Sequence, residues 1–389
     1  MNLYLIIPSF YPATVYGGPI FSTLNTCKAL AKLGMEVNVV TTNTNKFNRL
    51  DVAKNKWVDF PGGFQVKYYN ETIVGFFSSA LFLGIWQDVK RADCLHIQGI
   101  FNTPIPIALL AAFFFKKPVL LSPRGSFYPA ALAHGSRMKK IWLKIFISFF
   151  ARRVTWHATS DQERDDILQL YPGAQIALIP NGISLGEYEA LNADKFYHQL
   201  LGRLGLTREN RPVIVSLSRI HKLKGLDVLI DAFRLVLDRF PQSLLLMAGA
   251  DVGEMERLRL KIDKLGLTNR AIFVGELKGV EKMCFLKGAD LFALPSHLEN
   301  FGNAYLESLA AGTPIVASRN TPWSVVEERG CGAWVERTPG SFAEAIQRLL
   351  NEDQGELRSN SRMLASEFAW DNIAEKFFMI FESISNEHV

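Results

Sequence analysis

None of the 4 cysteines in this 389-residue chain forms a Cys-x-x-Cys pair; Cys27, Cys94, Cys284 and Cys331 stand far apart. That scatter excludes a zinc ribbon and a disulfide framework and suits a reducing compartment. There is no Asp-x-Asp, and the 7 histidines include no pair at helical spacing, so no metal is expected. No Gly-x-Gly-x-x-Gly follows a first strand, Gly249-Ala-Asp-Val-Gly253 having the wrong spacing, and no Gly-x4-Gly-Lys-Ser/Thr occurs. A nicotinamide enzyme and a P-loop nucleotidase are thereby set aside. Low-complexity tracts are lacking too, and with 48% hydrophobic and 21% charged residues the chain reads as globular. At roughly 150 residues per domain it holds two or three domains.

One absence is local. Between Cys94 and Ser160 there is not one Asp or Glu, while nine basic residues fall there. The net charge of +5 therefore resolves into a +9 block and a remainder of 34 basic against 38 acidic residues. A dedicated nucleic-acid binder would carry a denser basic load and a recognised module, so nucleic acid is not an expected partner. The opening Met1-Asn-Leu-Tyr-Leu-Ile-Ile-Pro8 has no basic flank and reads as a strand rather than a signal peptide. A soluble or peripheral protein is expected.

Short aliphatic runs alternate with helical patterns along the chain. In the first half Leu3–Pro8, Glu36–Thr41, Cys94–Gln98, Pro118–Ser122, Val154–Thr159 and Gln175–Ile179 read as strands, with an undefined stretch before Asp93. A polar, irregular linker follows Pro180 until a second series begins with Val213–Leu217. The expected fold class is α/β, with two Rossmann-like doubly wound domains facing a cleft, 1–183 and 184–367, and 368–389 returning to the first. Gly182-Ile-Ser184-Leu-Gly186 matches the hydrolase nucleophile elbow, but Pro180-Asn181 separate it from the strand. A hydrolase or a nucleotide-sugar isomerase or epimerase stands as the alternative.

Two segments carry the chemistry. In Ser296-His-Leu-Glu299-Asn-Phe301-Gly302-Asn303-Ala-Tyr-Leu-Glu307, Gly302 and Asn303 open a helix whose free amides can bind phosphate. Glu307 lies one turn on, suited to a diol such as ribose. After the first strand of the same domain, Ser218-Arg219-Ile-His-Lys-Leu-Lys224-Gly225 brings a planar fork and a point charge to the same sheet edge. A diphosphate leaving group could be neutralised there without a metal.

Glu299-x7-Glu307 with Phe301-Gly302, Arg219 to Gly225, the early Gly17-Gly18-Pro19 loop and Ile179-Pro-Asn-Gly-Ile183 together resemble family 4 of the retaining glycosyltransferases, of the GT-B fold. The resemblance implies that Arg219 and Lys224 hold the diphosphate of a nucleotide sugar, Glu307 the ribose and Glu299 the donor sugar. It implies backbone contacts from Phe301, Gly302 and Asn303, close approach at Gly17 and Gly18, and a base lined by Glu276 and Leu277. The expected activity is a retaining hexosyl transfer needing neither cofactor nor metal. Where many members carry a His, this chain reads Ser122-Pro-Arg124. Arg124 is expected to face the cleft and meet a phosphate of the acceptor, with His96 a weaker candidate there.

From Ser136 to Phe150 a helix is expected with Arg137, Lys140 and Lys144 on one stripe and Met138, Trp142, Ile145 and Phe149 on another. Such a helix lies on an anionic membrane. The expected acceptor is a lipid-linked saccharide, as in bacterial surface-polysaccharide assembly, and the expected location is the inner face of the cytoplasmic membrane.

Overall fold

Strands that are buried on both faces read as continuous Val, Ile and Leu runs, and that pattern sets the first sheet. In the computed structural model, which describes residues 1–73, 77–133, 136–208 and 211–386, its strands are β1 (Asn2–Ser9), β2 (Glu36–Thr42), β3 (Trp57–Phe60), β4 (Phe64–Tyr69), β5 (Cys94–Gln98), β6 (Val119–Ser122), β7 (Thr155–Ala158) and β8 (Gln175–Leu178). Their order is β8-β7-β6-β5-β1-β2-β4-β3, parallel throughout except for the antiparallel β3–β4 pair. Chain order reverses between β1 and β5. Ligands of doubly wound sheets bind beyond the carboxyl ends of the strands at such a switch point.

Helix α1 (Gly18–Lys32) and the C-terminal helix Trp370–Asn386 share one face of this sheet. Leu24 and Leu30 of the former and Ile373, Phe377 and Phe381 of the latter join Leu3, Leu5 and Leu120 in a single core. The other face takes α2 (Ser79–Arg91), which buries Leu81, Ile85 and Val89, and α3 (Pro104–Phe114). Much of the stretch before Asp93 is therefore ordered: Ser78 caps α2 by accepting a hydrogen bond from the Leu81 amide at 3.2 Å.

The chain divides into a unit of 1–182 with 370–389 and a unit of 183–369. The first break falls one residue before the expected 183, and the return begins at Trp370 rather than 368. A Cβ at Gly182 would lie 2.5 Å from the Trp370 ring, whereas the Ile183 amide donates to the Phe368 carbonyl at 2.8 Å. Residues 387–389 of the expected returning segment lie outside the described residues.

The second unit has β9 (Val213–Leu217), β10 (Leu244–Ala248), β11 (Ala271–Gly275), β12 (Leu291–Leu294), β13 (Ile315–Ser318) and β14 (Gly332–Val335), all parallel in the order β11-β10-β9-β12-β13-β14. Its switch point lies between β9 and β12. The stretch expected to be an irregular linker contains a helix, Ala193–Arg203, capped by the Asn192 side chain and anchored by buried Tyr197 and Leu201. Ser184 is followed by a single 3-10 turn, Leu185–Tyr188, which removes the strand-turn-helix context that a nucleophile elbow requires. Among the described residues no helix is long and apolar enough to cross a membrane.

Candidate active site

The loops after β9 and β12 are built as one piece. Gly225 sits at φ +65°, where a Cβ would come within 2.1 Å of the Pro295 carbonyl oxygen, and the His297 amide donates to the Leu223 carbonyl at 2.8 Å. This contact brings Lys224 to Glu299. The Lys224 ammonium donates to Glu299 Oε1 at 2.5 Å, and the same oxygen accepts from Ser296 Oγ at 2.7 Å. Both side chains are largely buried, at 18% and 13% exposure. Arg219, on the same loop, is exposed and makes no ion pair among the described residues.

Gly302 stands at φ +83°, and a Cβ there would meet the Tyr305 ring at 2.6 Å. The helix it opens, Asn303–Ala310, has no side-chain cap and no acid in its first turn, which leaves backbone donors for an anion. Phe301 contributes backbone only: its ring is buried 5.4 Å from Trp323, and its carbonyl accepts from Trp323 Nε1 at 2.7 Å. Glu307 is not a free carboxylate. Lys282, on the helix Gly279–Lys287, donates to it at 2.7 Å. Glu276 is exposed and paired with Lys278 at 2.9 Å, while Leu277 is half-buried. Among the described residues no group of three or more His, Cys, Asp or Glu is placed to hold a metal.

In the first unit, Gly17 precedes α1 at φ +73°, and a Cβ there would meet nothing within 4 Å. Conformation, not crowding within the chain, accounts for this glycine; Gly18 is the first helical residue. Arg124 follows β6 at φ +54°. Its Nε and Nη2 donate to Gln98 Oε1 at 3.2 and 3.0 Å and its Nη1 to Asn181 Oδ1 at 3.2 Å. Burial pushes its pKa down to about 10, against the opposing pull of Glu163. The loop is pinned from below: Glu163 accepts from the Gly125 amide at 2.7 Å and from Thr159 N and Oγ1 at 2.8 Å.

His96 is not an acceptor-site residue. It is 0% exposed on β5, under Phe377 and Phe381 of the C-terminal helix, with ring centroids 5.6 and 6.0 Å away. His96 Nε2 lies 2.8 Å from Ser122 Oγ, Ser122 Oγ 2.7 Å from His157 Nδ1, and His157 Nε2 2.8 Å from the Ile179 carbonyl. The carbonyl must accept, so His157 carries its proton on Nε2 and accepts at Nδ1 from Ser122, which in turn accepts from His96 Nε2–H. Burial keeps both rings neutral, lowering His157 to about 3 and His96 well below its ordinary range. A position beneath a helix more than two hundred residues away in sequence carries no local signal.

Arg137, Lys140 and Lys144 are exposed, as are Met138, Ile141, Ile145, Phe146 and Phe149. Trp142 departs from expectation: it is half-buried, and its Nε1 donates to the Ile100 carbonyl at 2.8 Å. The helix Ser136–Trp142 widens into a π-helical turn at Leu143–Ile147, which turns Leu143 and Ile147 inward. The apolar surface extends to α3, where Phe113 lies 5.2 Å from Phe149, and on to α2, where Trp86 lies 5.8 Å from Phe114. Leu83 and Phe114, 75% and 69% exposed, belong to it.

Two family models match the chain: "Glycosyltransferase Family 4" over residues 16–187 and "Glycosyl transferases group 1" over 205–365. The chain is 29% identical over 240 residues to the D-inositol 3-phosphate glycosyltransferase of Corynebacterium jeikeium, covering 58% of this chain and 56% of that protein. It thus spans little more than half the length of that relative. Over 324 residues it is 26% identical to the alpha-monoglucosyldiacylglycerol synthase of Streptococcus pneumoniae, covering 82% of this chain and 71% of that one. The fold matches the crystal structure of Anabaena HepE in complex with UDP and glucose, at TM-score 0.73, 20% identity and coverage of 98% and 100%.

Proposed function

Since the chain belongs to the family 4 glycosyltransferases of the GT-B fold, we propose that it moves a hexose from a nucleotide diphosphate sugar to a lipid-linked saccharide, with retention of configuration and without a metal. The observation that carries this reading is the presence of exposed Arg219 and the Lys224–Glu299 ion pair on the loops at the switch point of the second sheet. Breaking the anomeric bond leaves an oxocarbenium-like sugar and a diphosphate. Arg219 and Lys224 act where the negative charge develops, the form of stabilisation that contributes most to rate. Glu299 binds donor-sugar hydroxyls, Glu307 the ribose, and the amides at Gly302 and Asn303 the phosphate. The acceptor hydroxyl forms its bond to the anomeric carbon on the face that the diphosphate leaves, and its proton passes to a departing phosphate oxygen. No protein nucleophile is needed.

The lipid-linked acceptor is supported by the exposed apolar surface beside an acid-free basic segment, which is complementary to an anionic membrane. The name of the diacylglycerol-glucosylating relative agrees with such an acceptor. A thermal-shift screen against nucleotide sugars tests donor binding, because a ligand at 100 times its Kd stabilises by about 2.7 kcal/mol. Proton NMR of the product tests stereochemistry, and an inverted anomer overturns retention.

A further inference from the structure

The switch point of the first sheet holds a constellation of its own. Gln98 closes β5, Thr23 lies in the second turn of α1, and Arg124 follows β6. Thr23 Oγ1 is 2.8 Å from Gln98 Oε1, the oxygen that also takes two N–H bonds from Arg124. A guanidinium has donors only, so the Gln98 atom facing it must be the oxygen. Nε2 is thereby turned elsewhere, on a side chain 1% exposed, and finds no hydrogen-bond partner.

Arg124 is also incompletely met. Its contacts are neutral amide oxygens, and among the described residues it makes no ion pair. A guanidinium offers five N–H donors and three are used here, so two remain, and the two of Gln98 Nε2 are also unspent. Holding a non-glycine residue in left-handed backbone is unfavourable, which the Glu163 anchors offset. At the same sheet edge, α1 begins with no side-chain cap and no acid in its first turn. Several unspent donors and a partly desolvated cation match one kind of ligand, a tetrahedral oxyanion with several acceptor oxygens.

We propose that Arg124, Gln98 and the start of α1 form a phosphate subsite for the acceptor, with Gln98 the positioning residue that aims Arg124. The subsite rests on the glycosyltransferase reading for the word acceptor, since the donor's diphosphate already has Arg219 and Lys224 in the other unit. Gln98 holds the guanidinium by a dipole, which fixes its direction and leaves its charge unspent. A carboxylate at this position would neutralise the cation instead.

The test uses the full chain and isothermal titration with inorganic phosphate, farnesyl phosphate and farnesol. Arg124→Asn removes the cation while keeping a residue that tolerates left-handed backbone, and Gln98→Glu puts a carboxylate on the guanidinium without opening a cavity. Both variants are expected to lose about tenfold or more in affinity for the phosphate group, while Gln98→Glu melts no lower than the parent. A merely structural glutamine would not separate binding from stability in this way. Preference for farnesyl phosphate over inorganic phosphate marks a lipid-borne ligand, and equal binding a free one; both support the subsite. Parental affinity in both variants, or farnesol binding as tightly as its phosphate, overturns it. The parent's thermal shift with nucleotide sugars is read separately: its absence overturns the glycosyltransferase reading and leaves the subsite standing.

Discussion

Lys224 and Glu299 are joined by a 2.5 Å hydrogen bond across two loops that leave neighbouring strands, β9 and β12. The pair holds a cation that is already desolvated and already oriented, as the proposed diphosphate contact requires. Lys224→Met removes that cation and leaves Glu299 buried without its partner, so catalysis is expected to fall by about 10²- to 10³-fold. Glu299→Gln keeps the shape and the Ser296 contact, and it tests whether the sugar needs the charge. Nucleotide release at saturating donor distinguishes the two. Near-parental turnover in Lys224→Met would count against the proposed role.

Arg219 behaves differently because it is exposed and makes no ion pair among the described residues. Arg219→Ala is expected to leave the melting temperature unchanged and to weaken nucleoside diphosphate binding by about 1.5–3 kcal/mol, roughly ten- to a hundredfold. Calorimetric titration with a nucleoside diphosphate measures it, and undiminished affinity would remove Arg219 from the site.

Glu307 and Lys282 make a partly exposed pair, 20% and 30% accessible, whose contribution to stability is about 1 kcal/mol. Lys282→Met therefore melts near the parent temperature. Its consequence lies in binding, because Glu307 loses the donor that sets its rotamer. A severalfold rise in Kd for nucleoside over that for free phosphate is expected, and equal effects on both ligands would place Lys282 elsewhere.

The buried relay from His96 through Ser122 to His157 predicts a pH dependence. His157 titrates at about 3 in the folded chain because of burial, against about 6.5 when unfolded. Between those values the unfolded chain binds protons that the folded chain refuses. Stability is complete above about pH 6.5 and falls as pH drops, by up to about 1.4 kcal/mol per unit for each histidine. Urea unfolding between about pH 7 and pH 5 should show this slope. His157→Gln should roughly halve it, and an identical slope in the variant would mean that other groups dominate.

That the Lys224 and Gly302 turns lie at one sheet edge was legible in the sequence for a local reason. Gly302 before Asn303 and Lys224 before Gly225 each mark a strand-to-helix turn, and those turns lie at adjacent strands of the switch point. What stayed hidden depends on contacts distant in sequence. Lys282 meets Glu307 across 25 residues, Phe377 covers His96 across 281, and the Ile100 carbonyl draws Trp142 inward across 42. Periodicity says that a residue lies on one side of an element, but not which later segment covers that side. The widening at Leu143 is likewise invisible to a helical wheel drawn at a constant pitch.

The membrane face gives the last prediction. Lys139 is spent within the unit, its ammonium 5.1 Å over the Phe101 ring, which leaves Arg137, Lys140 and Lys144 as the exposed cations of that helix. Each contributes on the order of 1 kcal/mol near an anionic surface, so neutralising three lowers partitioning by about two orders of magnitude, and reversing them to Glu lowers it further. That loss should vanish at high salt, where the electrostatic share is already screened. Phe114→Ser with Ile145→Ser should act at every salt concentration, because it removes exposed apolar area, 69% and 60% exposed, and leaves the charge unchanged. Flotation with phosphatidylglycerol vesicles at low and high salt separates the two contributions. If the charge-reversed chain floats as the parent does at low salt, the basic face is only a solvated surface and the acceptor must be sought in solution.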